Sequence, residues 1–565
     1  MPVESMPQPG AIHQDGTATN PPQFPVKMTV LTIVVAAAAV LAQIFISEIE
    51  DAAHSGLDVI MIATILTTAG LIVLWLGWIL ICSRWRWWKR LIGAALLIML
   101  PFAAFKVFRP VHGGDANLLR FEPIWAQRKT LPVDAPVAAT ADLSIESPTD
   151  FPRFLGSDQD GKVTGSGKID VLNFAENCRM IWKQPIGAGW SGFSGRNGYA
   201  VTMEQRGDQE CVTCYDIATG TLKWIYSHPA RHKDKIGLGR IGPRSTPTIY
   251  KSRVYAVGAV GNFVCLNGAD GSLIWQKDLN EILGIFLKGT EDTDGLKVYF
   301  EKNTSLAWGR SGAPLIVDDL VIVPGGGPAG PTRATLLAFD AQSGDLRWKG
   351  GTAMIAYGSP VLATIAGRRQ ILLTAESEAV GIDPSTGEVL WNHPRPGESD
   401  GGANTSQLTV LSESDVLTSK GYPDGGGERI HLENQAGRLI ATSVWSSQKV
   451  LKTKLTSPII QNGYAFSLSN GFMECTRLSD GEQMWKRRGR FGHGQLLMVG
   501  NAILLHSESG ELYLLDATPD EYRELGKFRT IEGVCWNTLC LMGNKLLVRS
   551  EIEAACIEIP MTDVR

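Results

Sequence analysis

Two cysteines three residues apart, Cys211 and Cys214, have the spacing in this sequence that is most typical of redox or metal chemistry. Such a pair can form a redox disulfide or supply half of a zinc site. The residues around it predict a β-strand, however, and positions i and i+3 of a strand point to opposite faces. No second pair or His completes a zinc set, so we interpret both cysteines as structural. Cys535 and Cys540 are the close pair that remains, and a disulfide between them is left open.

Motifs of other enzyme classes are missing from the sequence. There is no Cys-x-x-Cys-His for covalent haem attachment and no Gly-x-Ser-x-Gly elbow of a hydrolase. Gly325-Gly-Gly-Pro and Gly425-Gly-Gly-Glu lack the Lys-Ser/Thr that completes a phosphate-binding loop, so we interpret them as loop glycines. The sequence therefore predicts no catalytic residues and no metal ligands.

A more informative set of residues precedes the predicted inner strands of a repeated β unit: Trp190, Arg244, Arg310, Tyr357, Gln407 and His493. Eight such loops would converge on the mouth of an axial channel. Aromatic and cationic side chains there suit an anionic or aromatic ligand, or a partner's peptide, through hydrogen bonds and stacking. Alternatively, the arginines satisfy backbone carbonyls and plug a narrow channel. Both interpretations stay open at this point.

The elements that would position these residues are copies of one motif, which begins Cys214-Tyr-Asp216 and runs through Thr219-Gly220 to Trp224. Apolar and polar residues alternate before the Asp, as in a half-buried strand, and Asp with Thr/Ser-Gly makes a tight turn. The Trp then lies on the next strand. Four more copies keep this spacing and end at Gly271 and Trp275, Gly344 and Trp348, Gly387 and Trp391, and Gly481 and Trp485. A period of roughly 40 to 50 residues is typical of a propeller.

Three weaker copies bring the number to eight. They lie at His431 to Glu433 with Trp445 after a longer turn, at Leu514 to Asp516 with Tyr522 near the Trp position, and at Cys556 to Glu558. The last copy has no Trp strand after it, whereas Met180 to Lys183 has no turn motif before it. We predict that this N-terminal segment closes a ring of eight four-stranded antiparallel blades, an all-β propeller over residues 149–565.

The repeated tryptophans have a structural interpretation. Blades diverge away from a propeller axis, and a large ring fills the wedge between their outer strands. The first motif position is small, which we interpret as room for the indole of a neighbouring blade. The tryptophans assigned to this role are Trp182, Trp224, Trp275, Trp348, Trp391, Trp445 and Trp485.

The N-terminal part of the chain predicts a membrane anchor. Residues 28–47 and 59–82 are uncharged and long enough to span a bilayer, and 91–108, flanked by basic residues, is predicted as a third helical span. Residues 1–27 are predicted to be a disordered cytoplasmic tail and 109–148 a linker. The net charge of -4, from 53 Lys+Arg against 57 Asp+Glu, lacks the basic excess that nucleic-acid binding requires.

The basic residues of the short loops predict the orientation. The first loop, 48–58, has no Lys or Arg, whereas 83–90 is basic and aromatic, as is typical of a cytoplasmic face. With three spans, the propeller lies on the periplasmic side of a bacterial inner membrane. With two, it would lie inside the cell.

With the Asp-x-x-Thr-Gly-x-x-x-Trp repeats in place, residues 150–560 resemble the PQQ-binding-like β-propeller repeat family, which contains quinoprotein dehydrogenases and the non-catalytic assembly lipoprotein BamB. Gly242-Pro-Arg-Ser-Thr-Pro247 and Trp308-Gly-Arg-Ser-Gly-Ala-Pro314 look like those of a bacterial BamB-like subgroup. The resemblance implies an extracytoplasmic eight-bladed propeller. It does not by itself imply the cofactor.

A quinoprotein dehydrogenase would need Ca²⁺ held by carboxylate and amide oxygens against the quinone, a carboxylate base nearby and commonly an adjacent Cys-Cys pair. No Cys-Cys pair occurs in this sequence. Asn404, Glu532 and Asp400 are the residues that could be imagined as calcium ligands, and we do not assign them that role.

The sequence thus favours a non-catalytic, BamB-like propeller that is held in the lipid bilayer by its N-terminal helices and binds a protein or small-molecule partner on its disc face. The alternative is a membrane-bound, PQQ-dependent oxidoreductase that donates electrons to quinone, with PQQ and calcium as cofactors. A sensory module is a third hypothesis, but the short cytoplasmic parts offer no output domain.

Overall fold

The computed structural model describes residues 25–44, 57–83, 85–111, 120–123, 131–133, 140–233, 239–291, 297–301, 306–398, 402–487, 489 and 491–562. The chain divides into two compact units, one of residues 1–110 and 121–126 and one of residues 111–120 and 127–565. The predicted tail up to residue 24, the first predicted loop up to residue 56, much of the linker and Asp400 lie outside the described residues.

The first unit contains the N-terminal helices. Helix α1 is Val26–Ile44, helix α2 is Leu57–Gly77 and continues as the π-helix Trp78–Cys82, and helix α3 is Trp87–Val107. Trp75 Nε1 of α2 donates a hydrogen bond to Thr32 Oγ1 of α1 at 2.9 Å. Among the helical residues that the structure describes, no helix combines the length and the apolar character needed to cross a membrane. The three predicted spans are not confirmed and stay a prediction.

The second unit is a ring of eight antiparallel blades, each with four strands, which we name A to D from the axis outwards. Blades 1 to 4 consist of Ser194–Arg196, Tyr199–Arg206, Gln209–Asp216 and Leu222–Pro229; Thr248–Tyr250, Arg253–Val257, Asn262–Asn267 and Leu273–Asp278; Leu315–Val317, Leu320–Gly326, Ala334–Asp340 and Leu346–Gly350; and Val361–Ile365, Arg368–Thr374, Glu378–Ile382 and Val389–Pro394. Blades 5 to 8 consist of Thr409–Val410, Asp415–Lys420, Gly426–Gln435 and Arg438–Ser447; Ile459–Gln461, Tyr464–Ser469, Phe472–Arg477 and Gln483–Lys486; Gln495–Val499, Ala502–His506, Glu511–Asp516 and Glu524–Arg529; and Cys540–Met542, Lys545–Arg549, Glu553–Glu558 and Arg179–Pro185. The predicted eight-bladed propeller is confirmed.

Shorter elements complete the chain. The strand pairs are Phe108–Val111 with Arg120–Pro123, Lys162–Val163 with strand A of blade 7 in parallel, Lys168–Ile169 with Met561–Thr562, and Leu287–Glu291 with Lys297–Glu301, and the short helices are Phe174–Asn177 and Leu279–Leu283. The second of these helices ends at Leu283 because Gly284 adopts the left-handed conformation, with φ 66°, and its N–H bonds back to helix carbonyls.

The ring is closed by the N-terminal strand, as predicted. Arg179–Pro185 is strand D of blade 8, whose other three strands come from the C-terminal end of the chain. Trp182 lies directly opposite Cys556 in this pairing. The N-terminal strand pairs with strand C of blade 8, so that strand is not left with an unpaired edge where the two ends of the ring meet.

The repeated turns and tryptophans join neighbouring blades. In blade 1, Asp216 Oδ1 accepts hydrogen bonds from the N–H groups of Ala218 and Thr219, each at 3.0 Å, and Gly220 completes the turn with φ 73°. The Trp224 indole lies over the corresponding turn of blade 2, where a Cβ on Gly271 would come within 2.6 Å of the ring. Trp224 Nε1 also donates to a carbonyl of that turn, Gly268 O, at 3.0 Å. Each indole is therefore placed by both shape and a hydrogen bond.

Among the described residues, the same inter-blade hydrogen bond recurs at five further junctions, and the junctions after blades 4 and 7 lack it. The indoles of Trp182, Trp275, Trp348, Trp445 and Trp485 donate to Ile217 O, Ala341 O, Pro384 O, Leu478 O and Thr518 O, respectively. Trp391 instead bonds within its own blade, to Gln370 Oε1 at 2.5 Å. Blade 5, which follows it, has a long C–D hairpin in place of the Asp-Thr-Gly turn.

Our interpretation of the small motif residue was wrong in one respect. The strand register places that residue opposite the Trp of its own blade, as in Cys214 with Trp224 and Gly381 with Trp391. A Cβ on Gly381 would overlap Trp391 Nε1 and Gln370 Oε1. The small residue therefore makes room for the indole within the blade, and the turn glycine makes room between blades.

Blade 7 has no tryptophan, and the predicted substitute, Tyr522, does not take its place. Gly526 lies opposite Leu514 in the register. The space is filled by Phe174 of the short N-terminal helix, which is 1% exposed and would be 3.1 Å from a Cβ on Gly526. An aromatic ring thus seals this junction as well, but it comes from outside the repeat.

The cysteines are core residues. All nine are free thiols, and eight are buried. Cys211 and Cys214 lie three residues apart on strand C of blade 1, as predicted, and Cys535 and Cys540 form no disulfide. Burial raises the pKa of Cys178, Cys475 and Cys556 to about 12, which keeps these thiols protonated and unreactive.

Candidate functional site: the loop face

The predicted ligand residues belong to the connections between blades. Because the four strands of a blade alternate in direction, the D–A connections and the B–C turns lie on one side of the disc, which we call the loop face. The A–B and C–D turns lie on the other side, which we call the turn face. The D–A connections of the loop face begin at residues 186, 230, 279, 351, 395, 448, 487 and 530.

The axis of the ring is occupied by residues 151–163, which we call the plug. Phe151 bridges Gly195 in strand A of blade 1, and the Ile249 N–H of blade 2 donates to Pro152 O at 2.8 Å. Further round the ring, Lys162–Val163 runs parallel to strand A of blade 7. The plug is thus hydrogen-bonded to the inner strands of blades 1, 2 and 7.

The tip of the plug meets one of the predicted residues. Gln407 Nε2 donates to Gln159 O at 2.6 Å, and Gln159 Nε2 donates to Pro360 O at 3.2 Å, just before strand A of blade 4. Leu155 and Gln159 both have positive φ, and both are buried. The loop face therefore has a floor made by the chain itself. The sequence predicts only that this segment lies at the start of the propeller, residues 149–565, and does not predict the plug.

Two of the predicted residues, Trp190 and Arg244, are brought together. Trp190 Nε1 donates to Gly239 O at 2.6 Å, and Arg244 Nη2 donates to the same carbonyl at 2.9 Å. Trp190 also packs against Trp536, with ring centroids 4.6 Å apart, and Trp536 Nε1 donates to Glu508 Oε1 at 3.0 Å. Both indoles are partly exposed and are held at their polar ends.

Trp536 was missed by the sequence analysis, although a signal was present. It stands four residues before strand A of blade 8, as Trp190 does in blade 1 and Arg244 does in blade 2. The last blade was recognised by its C-terminal copy of the motif alone, so its inner strand was not located.

Arg310 has the role that the alternative interpretation gave to the arginines. Its side chain is buried, and Nη1 donates to Gly325 O at 2.6 Å and to Pro324 O at 3.3 Å, both in strand B of blade 3. Arg244 also donates to the carbonyls of Gly242 and Arg240. Both guanidinium groups therefore satisfy backbone carbonyls of the loop face. Ligand binding by these arginines stays a prediction.

Tyr357 belongs to a second aromatic group, which spans four blades. Its ring stacks on that of Trp308, with the ring centroids 5.5 Å apart, and its hydroxyl accepts a hydrogen bond from the backbone N–H of Trp308 at 3.2 Å. Trp308 lies 5.4 Å from Tyr422, and Lys454 Nζ lies 5.3 Å from the centre of the Tyr422 ring. The loops before blades 3, 4 and 6 and the B–C turn of blade 5 are joined in this way.

His493 lies beside the carboxylate that holds Trp536. It is 1% exposed, and its N–H donates to Glu508 Oε2 at 3.1 Å. Glu508 therefore connects the loops before blades 7 and 8. Of the six predicted residues, Trp190 and Arg244 share a carbonyl, whereas Arg310, Tyr357, Gln407 and His493 contact strand B of blade 3, Trp308, Gln159 and Glu508, respectively.

Buried charges join blade 8 to blade 1 below this surface. Arg549, fully buried, donates to Thr202 Oγ1 at 2.7 Å and to Gly187 O at 3.0 Å, and burial lowers its pKa to about 10. Burial also raises the pKa of Glu204, but Arg206 and hydrogen bonds from Thr213 and Tyr215 outweigh it and leave that pKa below its ordinary value. Arg549 thus stays charged at neutral pH and fixes the seam of the ring.

Glu210 is a further buried carboxylate on this face. Its pKa is raised to about 7 by burial, against the opposing effects of the Ala259 N–H, which bonds to Oε1 at 2.8 Å, and of Arg244. The group extends from strand C of blade 1 to the B–C turn of blade 2. It is a structural acid that titrates near neutrality.

Two of the three residues considered as calcium ligands, Asn404 and Glu532, lie in the described part of the chain, and each is engaged by other groups. Asn404 uses Nδ2 to hold the carbonyls of Ala375, Glu376 and Arg395 at 2.9–3.2 Å. Glu532 lies in the loop before blade 8, where its carboxylate pairs with Arg529 at 3.0 Å. Calcium takes six to eight oxygen ligands, which these two separately engaged side chains do not supply. Among the described residues, no group of three or more His, Cys, Asp or Glu could hold a metal ion.

The sequence matches the family described as outer membrane protein assembly factor BamB over residues 168–308 and 208–487, which together cover more than half of the chain. The chain belongs to the PQQ-like β-propeller repeat family. A search of curated proteins found no match.

Solved structures of the PQQ-like propeller type are also similar. BamB from Moraxella catarrhalis matches with 15% identity and a TM-score of 0.45, covering 68% of this chain and 100% of that one. Quinohemoprotein alcohol dehydrogenase from Comamonas testosteroni matches with 13% identity and a TM-score of 0.50, covering 74% of this chain and 82% of that one. At 13% identity, the likeness to the alcohol dehydrogenase shows the fold alone.

Proposed function

We propose that the protein is a non-catalytic binding scaffold whose loop face receives a protein or small-molecule partner. The observation that carries this proposal is the pair formed by Trp190 and Trp536. Both indoles are partly exposed, yet each is fixed by a hydrogen bond through Nε1. Rigid, partly exposed tryptophans lose little conformational entropy on binding and are frequent hot spots of interfaces.

The plug supports the same proposal. Because residues 151–163 fill the axis, a partner would bind across the loop face and not within a channel. The arginines and the second aromatic group hold the surrounding loops in one arrangement, so this surface is organised before a partner arrives. Preorganisation of this kind lowers the cost of binding.

Site-specific photocrosslinking of the full chain in its own cells tests the proposal. A photoreactive residue at Glu532, exposed in the same loop as Trp536, should capture a discrete partner, whereas one at Val389, 40% exposed on the outer strand of blade 4, should not. The capture should be lost in a Trp190→Ala/Trp536→Ala variant. Capture from Val389 alone, or capture that the double variant leaves unchanged, would contradict the proposal.

We further propose that the N-terminal region holds the propeller on the periplasmic side of the inner membrane. The support is the uncharged character of 28–47 and 59–82 and the basic loop at 83–90. A reporter fused after residue 120 should be active only in the periplasm. Cytoplasmic activity of that fusion would invert the orientation.

The alternative hypothesis, a PQQ-dependent oxidoreductase that donates electrons to quinone, predicts cofactor binding. Titration of the full chain with PQQ and Ca²⁺, followed by tryptophan fluorescence and thermal unfolding, distinguishes the two hypotheses. The scaffold predicts no saturable change. A gain of about 2.7 kcal/mol at a hundredfold excess over the dissociation constant would favour the oxidoreductase.

A further inference from the structure

The turn face has an open pocket of about 400 Å³ at the junction of blades 5 and 6. Blade 5 contributes Ser412 from its A–B turn and Arg429 from strand C, and blade 6 contributes Tyr464, Arg477 and Ser479. The function proposed above does not use this pocket, which lies on the side of the disc opposite to Trp190 and Trp536.

The junction of blades 1 and 2, half-way round the ring, has equivalent positions. Strand C of blade 6 ends at Arg477 and strand C of blade 2 ends at Asn267, each opposite the first residue of strand B. Ser479 and Ala269 each stand two residues further along, in the C–D turn. The two junctions can therefore be compared position by position.

In the junction of blades 1 and 2, the chain's own segment 140–148 occupies the groove. The Ala141 N–H donates to Ala269 O at 2.8 Å. Asn197 Nδ2, in the A–B turn of blade 1, donates to Asp142 O at 2.9 Å. An extended segment without regular secondary structure thus binds here through its backbone, held by one turn from each blade.

Two substitutions distinguish the open pocket from the filled groove. A Cβ on Gly268 would lie 3.1 Å from Leu143 Cδ1, so Gly268 makes room for this leucine of the bound segment. Blade 6 has Leu478 at that position, and its own buried side chain takes the apolar space. Blade 5 has Arg429 where blade 1 has Cys214. The open pocket therefore replaces an apolar contact with a cationic one.

The charges of the filled groove indicate which segment the pocket would accept. Segment 140–148 carries Asp142 and Glu146 and no basic residue, and Glu146 pairs with Arg196 of blade 1 at 3.1 Å. The pocket offers two guanidinium groups, those of Arg429 and Arg477, whose side chains are 27% and 34% exposed. Arginine binds carboxylates with paired, charge-assisted hydrogen bonds.

Both arginines already contact acidic side chains of the protein. Arg429 Nε lies 3.1 Å from Asp415 Oδ1, and its Nη1 donates to Leu478 O at 3.3 Å. Arg477 pairs with Asp480 at 2.6 Å and with Glu482. These last two carboxylates are at least half exposed, and an exposed ion pair contributes little, so a carboxylate of a bound segment can replace them at low cost.

We propose that the junction of blades 5 and 6 binds an extended, acidic segment of a partner chain, with its backbone on the C–D turn at Ser479 and a carboxylate on Arg429 and Arg477. The segment would bind as 140–148 does between blades 1 and 2. The turn face would then hold two extended segments half a ring apart, one from the chain itself and one from the partner.

The probe is a labelled peptide with the sequence of residues 140–148 but with Ala in place of Leu143, because Leu478 already fills the apolar space that Leu143 takes between blades 1 and 2. Its anisotropy would be measured as the purified full chain is added. We expect saturable binding of the peptide, and Arg429→Gln and Arg477→Gln should each lower its affinity by roughly tenfold or more. A peptide with Asn and Gln in place of its Asp and Glu should bind more weakly by a similar factor. Trp190→Ala, on the loop face, should leave binding unchanged.

The site of binding is checked independently of the variants. A benzophenone group on the peptide should crosslink to the C–D turn of blade 6 or the A–B turns of blades 5 and 6, as located by mass spectrometry. Crosslinks to blades 1 and 2 would mean that the probe displaces the tethered segment, which overturns the proposal. No saturation below about 1 mM, or equal affinity of wild type and both arginine variants at unchanged melting temperature, overturns it as well.

Discussion

Replacement of Trp224 by Ala is the sharpest test of how the blades are held together. The indole is 3% exposed, lies over the turn glycine of blade 2 and donates to Gly268 O at 3.0 Å. Its removal opens a cavity between blades 1 and 2 and leaves a buried carbonyl without its donor. We therefore expect two separable losses of stability, one from packing and one from hydrogen bonding.

The size of each loss follows from the environment. Truncation of a buried tryptophan costs about 3–5 kcal/mol, and the lost hydrogen bond adds about 1 kcal/mol, so Trp224→Ala should lower the free energy of unfolding by roughly 4–6 kcal/mol. Unfolding entropy is about 2.1 cal/mol/K per residue, which for a propeller of roughly 400 residues converts this loss into a decrease of about 5–7 °C in melting temperature. Trp348 is less buried, so Trp348→Ala should cost less, nearer 3 kcal/mol.

Differential scanning calorimetry of the full chain measures both variants, and Trp224→Phe separates the two contributions. Phenylalanine keeps much of the ring volume but cannot donate to Gly268 O, so it should cost about 1–2 kcal/mol. A Trp224→Ala variant that melts within about 1 °C of wild type would refute the inference that the indole fills the space between the blades and stabilises their contact. A larger effect of Trp348→Ala than of Trp224→Ala would refute the link between burial and cost.

Two further predictions concern blade 4 and blade 7. Gly381→Ala should lower the free energy of unfolding by about 1–3 kcal/mol because the added Cβ would overlap Trp391 Nε1 and Gln370 Oε1. Cys265→Ala, at the same position in blade 2, should cost only about 1 kcal/mol. A Gly381→Ala protein as stable as wild type in thermal unfolding would contradict the register. His506 is fully buried beside Thr530 Oγ1, and burial lowers its pKa to about 3. Between pH 6.5 and 3, the imidazole therefore binds a proton in the unfolded chain but not in the folded protein. The stability from His506 is thus complete above pH 6.5 and falls as the pH decreases toward 3, and His506→Gln should flatten this part of a pH series of melting temperatures; an unchanged pH dependence would show that another group is responsible.

The repeat made the architecture predictable from the sequence. Each Asp-x-x-Thr-Gly-x-x-x-Trp copy encodes a strand, a turn and the next strand within a dozen residues, so local chemistry alone places it. The missing Trp strand after Cys556 and the unpaired segment around Trp182 then predicted the closing strand, which the structure confirms. Counting the copies was sufficient because seven of the eight blades are built from four consecutive strands.

Features that depend on contacts distant in the sequence were not predictable. The plug at 151–163 has no repeat signal and is defined by hydrogen bonds to strands as far away as Met498. Phe174 seals the blade 7 junction from the N-terminal side, and no local pattern links it to Gly526. Of the loop-face residues, Trp536 was missed because the last blade was recognised only by its C-terminal copy of the motif, so its inner strand, Cys540–Met542, was not located.

The closing strand has a consequence for how the protein is made. Arg179–Pro185 emerges from the ribosome early, but its partner, Glu553–Glu558, follows only after roughly 370 more residues. At synthesis rates of about 5–20 residues per second, that strand waits for roughly 20 to 75 s without its pairing partner. The last blade cannot form until Glu553–Glu558 has been made, so the ring closes late, and any factor that protects the unpaired strand would act in that interval.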